Sequence, residues 1–296
     1  RPTLARLGLF RVWAEDEAGG FTPDEILLFS GGLDSFAGVL TEIEGGGNRV
    51  ALVSHRSSPK MRADQSKLLR ALKAKIGGGH FQHVPVRLTL AEGTAPELTH
   101  RTRSFLYAAL GLIVAQLFRV QRLRFYENGV ISLHFPISVH VLGARATRST
   151  HPRVLAGFTE LFSRILGTPF IVENPHLWKT KTDVVASIVG YGYGNLIPLT
   201  RSCASVRAQT TMCPHCGSCS QCIDRRFATL AAAAEDRFDP KNDYEIDLLD
   251  GPREPFEQVS MLASYVSTVS KVDIMSDRAF FATFGEAARV YRYLND

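Results

Sequence analysis

The chain has 296 residues, 45% of them hydrophobic and 21% charged, with a formal net charge of +5. That is enough apolar material for one large folded domain, or one domain with a small appendage, and it excludes an intrinsically disordered chain. The longest apolar stretch, Tyr107 to Phe118, contains Gln116 and falls short of the roughly 20 residues that span a bilayer, and Arg1 to Trp13 lack the apolar core of a secretion signal, so no membrane helix and a cytoplasmic location are expected.

Taken in chain order, Glu25 to Leu40 reads as a buried strand, a Gly-containing turn and a helix. Arg49 to Ser54 is a second strand after the Gly45-Gly46-Gly47 break. Met61 to Ile76 has helical apolar spacing and stops at Gly77-Gly78-Gly79, and Gln82 to Leu88 makes a third strand. Phe105 to Phe118 is a buried helix, and Arg124 to Glu127 is a strand running into Asn128-Gly129. This alternation predicts an α/β protein, a doubly wound and mainly parallel sheet covered by helices on both faces. Arg153 to Leu166 and Lys181 to Val189 then read as helices around a short strand, Phe170 to Glu173, at which the sheet ends. Leu199 to Cys222 is a Cys-rich loop, Ile223 to Glu235 a helix, and two further helices are expected over Pro255 to Ser270 and Ser276 to Leu294. The expected division is 1–198, 199–236 and 237–296, the last part a helical extension.

Positive charge gathers at Arg101, Arg103, Arg119, Arg122, Arg124, Arg145, Arg148 and Arg153. Such a cluster suits a polyanionic ligand, a nucleic acid or an acidic protein surface, and equally a solvated basic face.

Leu27, Leu28 and Phe29 deliver the chain to a turn whose Gly31 and Gly32 can take positive φ and let a ligand touch the backbone. A helix opening at about Leu33 adds free N–H groups and the positive end of its dipole, with the Ser30 and Ser35 hydroxyls as further donors. Asp34 beside a phosphate site makes sense if Mg²⁺ bridges the two. The plain alternative is a strand-to-helix turn in which Ser30 or Asp34 only caps the helix. No Gly-x-x-x-x-Gly-Lys-Ser/Thr string occurs, which excludes a Walker-type ATPase.

All five cysteines, Cys203, Cys213, Cys216, Cys219 and Cys222, lie close together in sequence, which in a cytosolic protein points to metal before disulfide. Tetrahedral Zn²⁺ takes four thiolates, so one is spare, and spacing alone leaves an iron–sulfur cluster open.

Ser30-Gly-Gly-Leu-Asp-Ser35 is similar to the signature of the ATP-pyrophosphatase (PP-loop) superfamily, in the strand-to-helix context that signature requires. The resemblance implies the adenine-nucleotide alpha-hydrolase-like fold for 1–198 and cleavage of ATP between its α and β phosphates. Ser202-Cys203 followed by Cys216-Gly-Ser-Cys219-Ser-Gln-Cys222, with Arg225 beyond, resembles the zinc loop of the 7-cyano-7-deazaguanine synthases. Arg103-Ser104, Glu127-Asn128-Gly129 and Thr180-Lys181-Thr182-Asp183 are similar to other segments of that family, in the same order. The resemblance implies Zn²⁺ on Cys203, Cys216, Cys219 and Cys222, with Cys213 left over. It further implies ATP with Mg²⁺ at Ser30, Gly31, Gly32, Leu33, Asp34 and Ser35, flanked by Ser54 and Gly129, and catalytic roles for Asp34, Ser35, Lys181 and Arg103.

The chain departs from the biosynthetic enzymes after Gly129, where it reads Val130-Ile-Ser-Leu-His134-Phe-Pro-Ile and later Thr150-His151-Pro152, and it adds the C-terminal extension. His134, His140 and His151 are candidates to line a rewritten pocket. In these departures it resembles divergent synthase-like proteins of bacterial anti-phage operons. The expected function is adenylation of a carboxylate, such as 7-carboxy-7-deazaguanine or a similar deazapurine, to form an amide or nitrile, with a protein as acceptor and partners from the same operon. Two alternatives stand beside it: a nucleic-acid base thiolase using Cys213, which is less favoured because no pair of cysteines lies outside the metal set, and a non-catalytic nucleotide-binding defence subunit. A homodimer is compatible with either.

Overall fold

A computed structural model describes residues 20–55, 58–88, 103–133, 135, 150–204, 213–234, 236–254 and 256–290. Its strands are β1 (Glu25–Leu28), β2 (Val50–His55), β3 (Phe81–Val86), β4 (Arg122–Arg124) and β5 (Ile171–Glu173). They form one sheet in the order β3-β2-β1-β4-β5, and every neighbouring pair is parallel. The expected mainly parallel α/β sheet is thus wholly parallel among the described residues.

Side chains alternate between the two faces of the strands, and each face has its own core. Leu27, Phe29, Val50 and Leu52 pack with α1 (Leu33–Leu40), α2 (Pro59–Ile76) and α6 (Lys181–Gly190), through Phe36, Leu68, Leu72, Val184 and Ile188. Ile26, Ala51, Val53 and Leu123 pack on the other face with α3 (Arg103–Phe118) and α5 (Pro152–Leu166), through Ala108, Val114, Phe158 and Phe162. Full burial of each such side chain is worth about 1.5–3 kcal/mol, so a sheet covered on both faces is the favoured arrangement of these runs.

After β5 come α7 (Ser220–Ala231), α8 (Phe256–Asp273), α9 (Asp277–Thr283) and α10 (Gly285–Val290). Ala228 of α7 and Phe238 lie in the same core as Phe36 and Val184, so the helix that follows the Cys-rich loop is packed into the α1-side core. No helix among the described residues is long and apolar enough to cross a membrane.

Several boundaries differ from expectation. The strand expected at Arg124 to Glu127 lies at Arg122–Arg124, with a single further bond, Phe125 N–H to the Glu173 carbonyl at 2.9 Å. Helix α7 starts at Ser220, three residues early, so Cys222 is helical rather than in a loop. The helix expected over Ser276 to Leu294 breaks at Phe284, which separates α9 from α10. Helix α1 runs on into a π-helical turn, Thr41–Gly45, that the apolar pattern does not announce.

Candidate functional site

In a doubly wound sheet the crevice lies where the strand order reverses, outside the carboxyl ends of the strands. Here that point is between β1 and β4, which are direct neighbours. The segment after β1 is Phe29-Ser30-Gly31-Gly32, and the segment after β4 is Phe125-Tyr126-Glu127-Asn128.

Gly31 has φ +86, and a Cβ there would stand 3.1 Å from Gln65 Cγ of α2. Gln65 Nε2 donates to the Ser30 carbonyl at 3.0 Å, so α2 braces the turn. Ser35 Oγ accepts from Gly31 N–H at 3.2 Å, and Ser30 Oγ accepts from Gly32 N–H at 3.2 Å. The two hydroxyls are 3.0 Å apart. The two hydroxyls thus accept from the amides of the turn, and their rotation would release those amides. Helix α1 has no side-chain cap at Gly32, which leaves its first-turn donors available to a ligand.

Asp34 sits in the first turn of α1, where its carboxylate accepts from Asn128 Nδ2 at 3.2 Å and pairs with Lys181 Nζ. Lys181 opens α6 directly after its N-cap Thr180, within the capping box that Thr180 makes with Asp183, which fixes where the helix begins. Its side chain is only 5% exposed, so it is not a surface lysine in a polar turn. Asp224 of α7 approaches Lys181 Nζ at 3.9 Å, and its Oδ2 is buried with no hydrogen-bond partner. Burial disfavours the Lys181 ammonium, yet Asp34 and Asp224 outweigh it and hold the pKa above the ordinary lysine value. Burial raises Glu127, partly offset by the Thr150 hydroxyl that donates to it at 2.6 Å, and the Asp34 charge raises it further. Burial likewise lifts Asp224 to about 6 against the pull of Lys181. Three carboxylates, Asp34, Asp224 and Glu127, thus act electrostatically on one buried lysine.

A cavity of about 330 Å³ adjoins this cluster, lined by Ser30, Ser35, His55, Arg103, Tyr107 and Glu127 among others. The His55 and Tyr107 rings lie 5.9 Å apart, and His55 Nε2 is buried without a hydrogen-bond partner. A larger cleft of about 550 Å³ between α4 (Gly129–Ser132), Leu177 to Thr180 and the α9–α10 pair is lined by apolar side chains apart from Lys179 and Thr180. Size favours that cleft, but Glu127, Ser30 and Ser35 on the wall of the smaller cavity connect it to the charged cluster, and chemistry decides the site.

The expected site residues fall into distinct places. Ser30, Gly31, Gly32, Leu33, Asp34, Ser35 and Lys181 converge at the switch point, and Arg103 lines the cavity from the start of α3. Ser54 lies behind the loop: its hydroxyl donates to the Phe29 carbonyl at 2.6 Å and it meets His83 at 3.0 Å. Gly129 borders the larger cleft, where α4 runs so close to the Leu177 carbonyl that a Cβ would overlap it. His151 caps α5, its Nδ1 accepting from Arg153 N–H at 3.2 Å, while His134, His140, Arg101, Arg145 and Arg148 fall outside the described residues. Two of the five described arginines of the cluster are paired with acids. Arg124 pairs with Glu25, Glu42 and Glu173, and Arg122 with Glu25 and Glu173, which leaves less charge for a nucleic acid. Glu127, Asn128, Asp224 and Gln65 were not expected in the site. The resemblance of Glu127-Asn128-Gly129 to a family segment is the signal that could have found the first two; Gln65 and Asp224 carry none.

The sulfur atoms of Cys203, Cys216, Cys219 and Cys222 all lie within 4.8 Å of one another. Cys216 to Cys222 is 3.9 Å and Cys219 to Cys203 is 4.0 Å. A disulfide would bring sulfurs to about 2.05 Å, whereas four thiolates about 2.3 Å from one tetrahedral ion stand about 3.8 Å apart. Cys219 N–H points at Cys216 Sγ at 3.4 Å, a bond that stabilises a thiolate ligand. These four residues can hold a metal such as zinc. Cys213 is outside the set.

No protein-family model matches the chain, and no curated protein matches it.

Proposed function

We propose that the chain is an ATP-dependent, AMP-forming carboxylate ligase of the PP-loop, 7-cyano-7-deazaguanine synthase-like kind. The observation that carries the reading is the junction of the Ser30–Ser35 nest with the buried Asp34–Lys181 pair at the switch point of a parallel sheet. The nest suits the β and γ phosphates. Lys181 supplies positive charge where the leaving pyrophosphate forms, and Asp34, with Glu127 and Asp224 near it, suits Mg²⁺. A substrate carboxylate oxygen attacks the α-phosphorus, the α–β bridging P–O bond breaks, and pyrophosphate leaves. An amine then attacks the acyl carbon, AMP departs, and a proton is lost from nitrogen to give an amide. The cavity with His55 and Tyr107 has room for a flat heterocycle beside the loop, which supports a deazapurine such as 7-carboxy-7-deazaguanine.

The sulfur spacing supports a single tetrahedral ion, zinc, over a cubane cluster, whose four cysteines bind separate irons and stand further apart. The zinc would be structural: all four ligand positions are filled by protein, which leaves none open to substrate. The acceptor we infer is an amine on a protein partner from the same operon, in bacterial anti-phage defence. Incubation with ATP, Mg²⁺ and 7-carboxy-7-deazaguanine should release AMP and pyrophosphate in equal amounts. Absence of AMP with this and other heteroaromatic carboxylates, alone and with the operon partners, refutes the reading.

A further inference from the structure

The cysteine site is joined to the phosphate loop by a short backbone route. Two residues before Cys203, Arg201 N–H donates to the Gly31 carbonyl at 2.9 Å. The Arg201 carbonyl faces Gly32 so closely that a Cβ there would stand 3.2 Å from it. The Arg201 side chain is latched on both sides, NH1 to the Pro198 carbonyl at 2.7 Å and Nε 3.6 Å from Asp64 of α2, the helix that also carries Gln65. From the other side of the cluster, Arg225, three residues after Cys222, is wholly buried and reaches back to Thr200. It donates to Thr200 Oγ1 at 2.7 Å and the Ile197 carbonyl at 3.0 Å, and its Nε meets Asp239 at 2.9 Å. Thr200 to Cys203 is therefore held at one end by thiolates and at the other by Gly31. It borders a small cavity with Ser30, Gly31 and Cys203 on its wall.

We propose that this segment is a strap through which the metal site orders the phosphate loop, with the Arg201 backbone N–H as the positioning group. The Gly31 peptide must hold positive φ for its amide to face an anion, and its carbonyl is fixed by a bond whose donor lies two residues from a metal ligand. Loss of the metal frees Cys203, slackens Thr200 to Cys203, and lets Gly31 rotate. The functional weight of the strap rests on the reading of Ser30 to Ser35 as a phosphate loop; its existence does not.

Hydrogen exchange of the full chain, without nucleotide, tests it. Stripping the metal should raise exchange of the Gly31 to Phe36 amides roughly tenfold, the order expected for losing one hydrogen bond, while β2 and β3 stay protected. Arg201→Pro deletes the donor after an extended Thr200 (φ −77, ψ 149) that accepts a following proline. With metal bound it should exchange like the stripped protein, whereas Arg201→Ala, which keeps the N–H, should not. Stripping should then add little to Arg201→Pro. Unchanged loop exchange on stripping overturns the proposal, and so does equal loss of protection in β2 and β3, which would make the metal a staple of the whole fold. If Arg201→Pro does not fold, the stripped wild type decides alone. A chain that never binds ATP sinks the functional reading and leaves the strap to be judged by exchange.

Discussion

Lys181→Met is the sharpest test of the buried charge cluster, because methionine fills the volume of the lysine stem and removes only the ammonium. Lys181 is 5% exposed, Asp34 14% and Asp224 17% by side chain. Removing one partner of a buried pair costs about 3–5 kcal/mol, and the slight exposure of the two aspartates argues for the lower end, about 3 kcal/mol. The loss should depend on pH in a stated direction. Glu127 and Asp224 both have folded-state pKa values above those of free carboxyls. A raised carboxyl burdens the native state only when ionised, so its cost is absent at low pH and grows as pH rises through the folded value. Without Lys181 both pKa values rise further. Urea unfolding at pH 8 should therefore show the full deficit against wild type, and at pH 5 the gap should be smaller by the share that Glu127 and Asp224 contribute. A deficit under about 1 kcal/mol at pH 8, or one that is the same at both pH values, would refute the reasoning.

Burial, with the Lys179 charge second, depresses His176 to about 4, and it is fully enclosed beside Tyr126 at 4.6 Å. Its ring signals in an NMR titration should therefore turn over near pH 4, with stability present above the ordinary value of about 6.5 and up to roughly 3 kcal/mol lost as pH falls toward 4; a midpoint near 6.5 counts against it. Gly129→Ala drives a methyl into the Leu177 carbonyl and should cost about 1–3 kcal/mol or more in denaturant unfolding, so a change within about 0.5 kcal/mol would mean that α4 does not sit this close. Cys213→Ser should keep the full metal content of the purified protein and Cys222→Ser should lose most of it; metal loss in the former would assign the wrong four thiols.

What was legible in the sequence was what short stretches decide for themselves. Leu27-Leu28-Phe29 before two glycines, the alternation of apolar runs, and the glycine breaks at 45–47 and 77–79 each act locally, and the sheet follows from them. Residue type did not reveal where a side chain spends its hydrogen bonds. That the Ser54 hydroxyl donates to the Phe29 carbonyl, for example, is a tertiary contact its residue type does not announce. Arg122 and Arg124 read as free charge until Glu25, Glu42 and Glu173, distant in sequence, meet them. Lys181 shows the boundary between the two cases. Its capping box is written in four adjacent residues and sets where α6 begins, but Asp34 and Asp224 come from other helices, and burial follows from how α6 lies against α1 and α7 rather than from anything near Lys181. The cysteines divide the same way. The even spacing of Cys213, Cys216, Cys219 and Cys222 cannot by itself choose Cys203 over Cys213, whereas the fold gathers Cys203 with Cys216, Cys219 and Cys222. The thiol that spacing does not select is thus the one whose own segment, two residues earlier at Arg201, is hydrogen-bonded to Gly31.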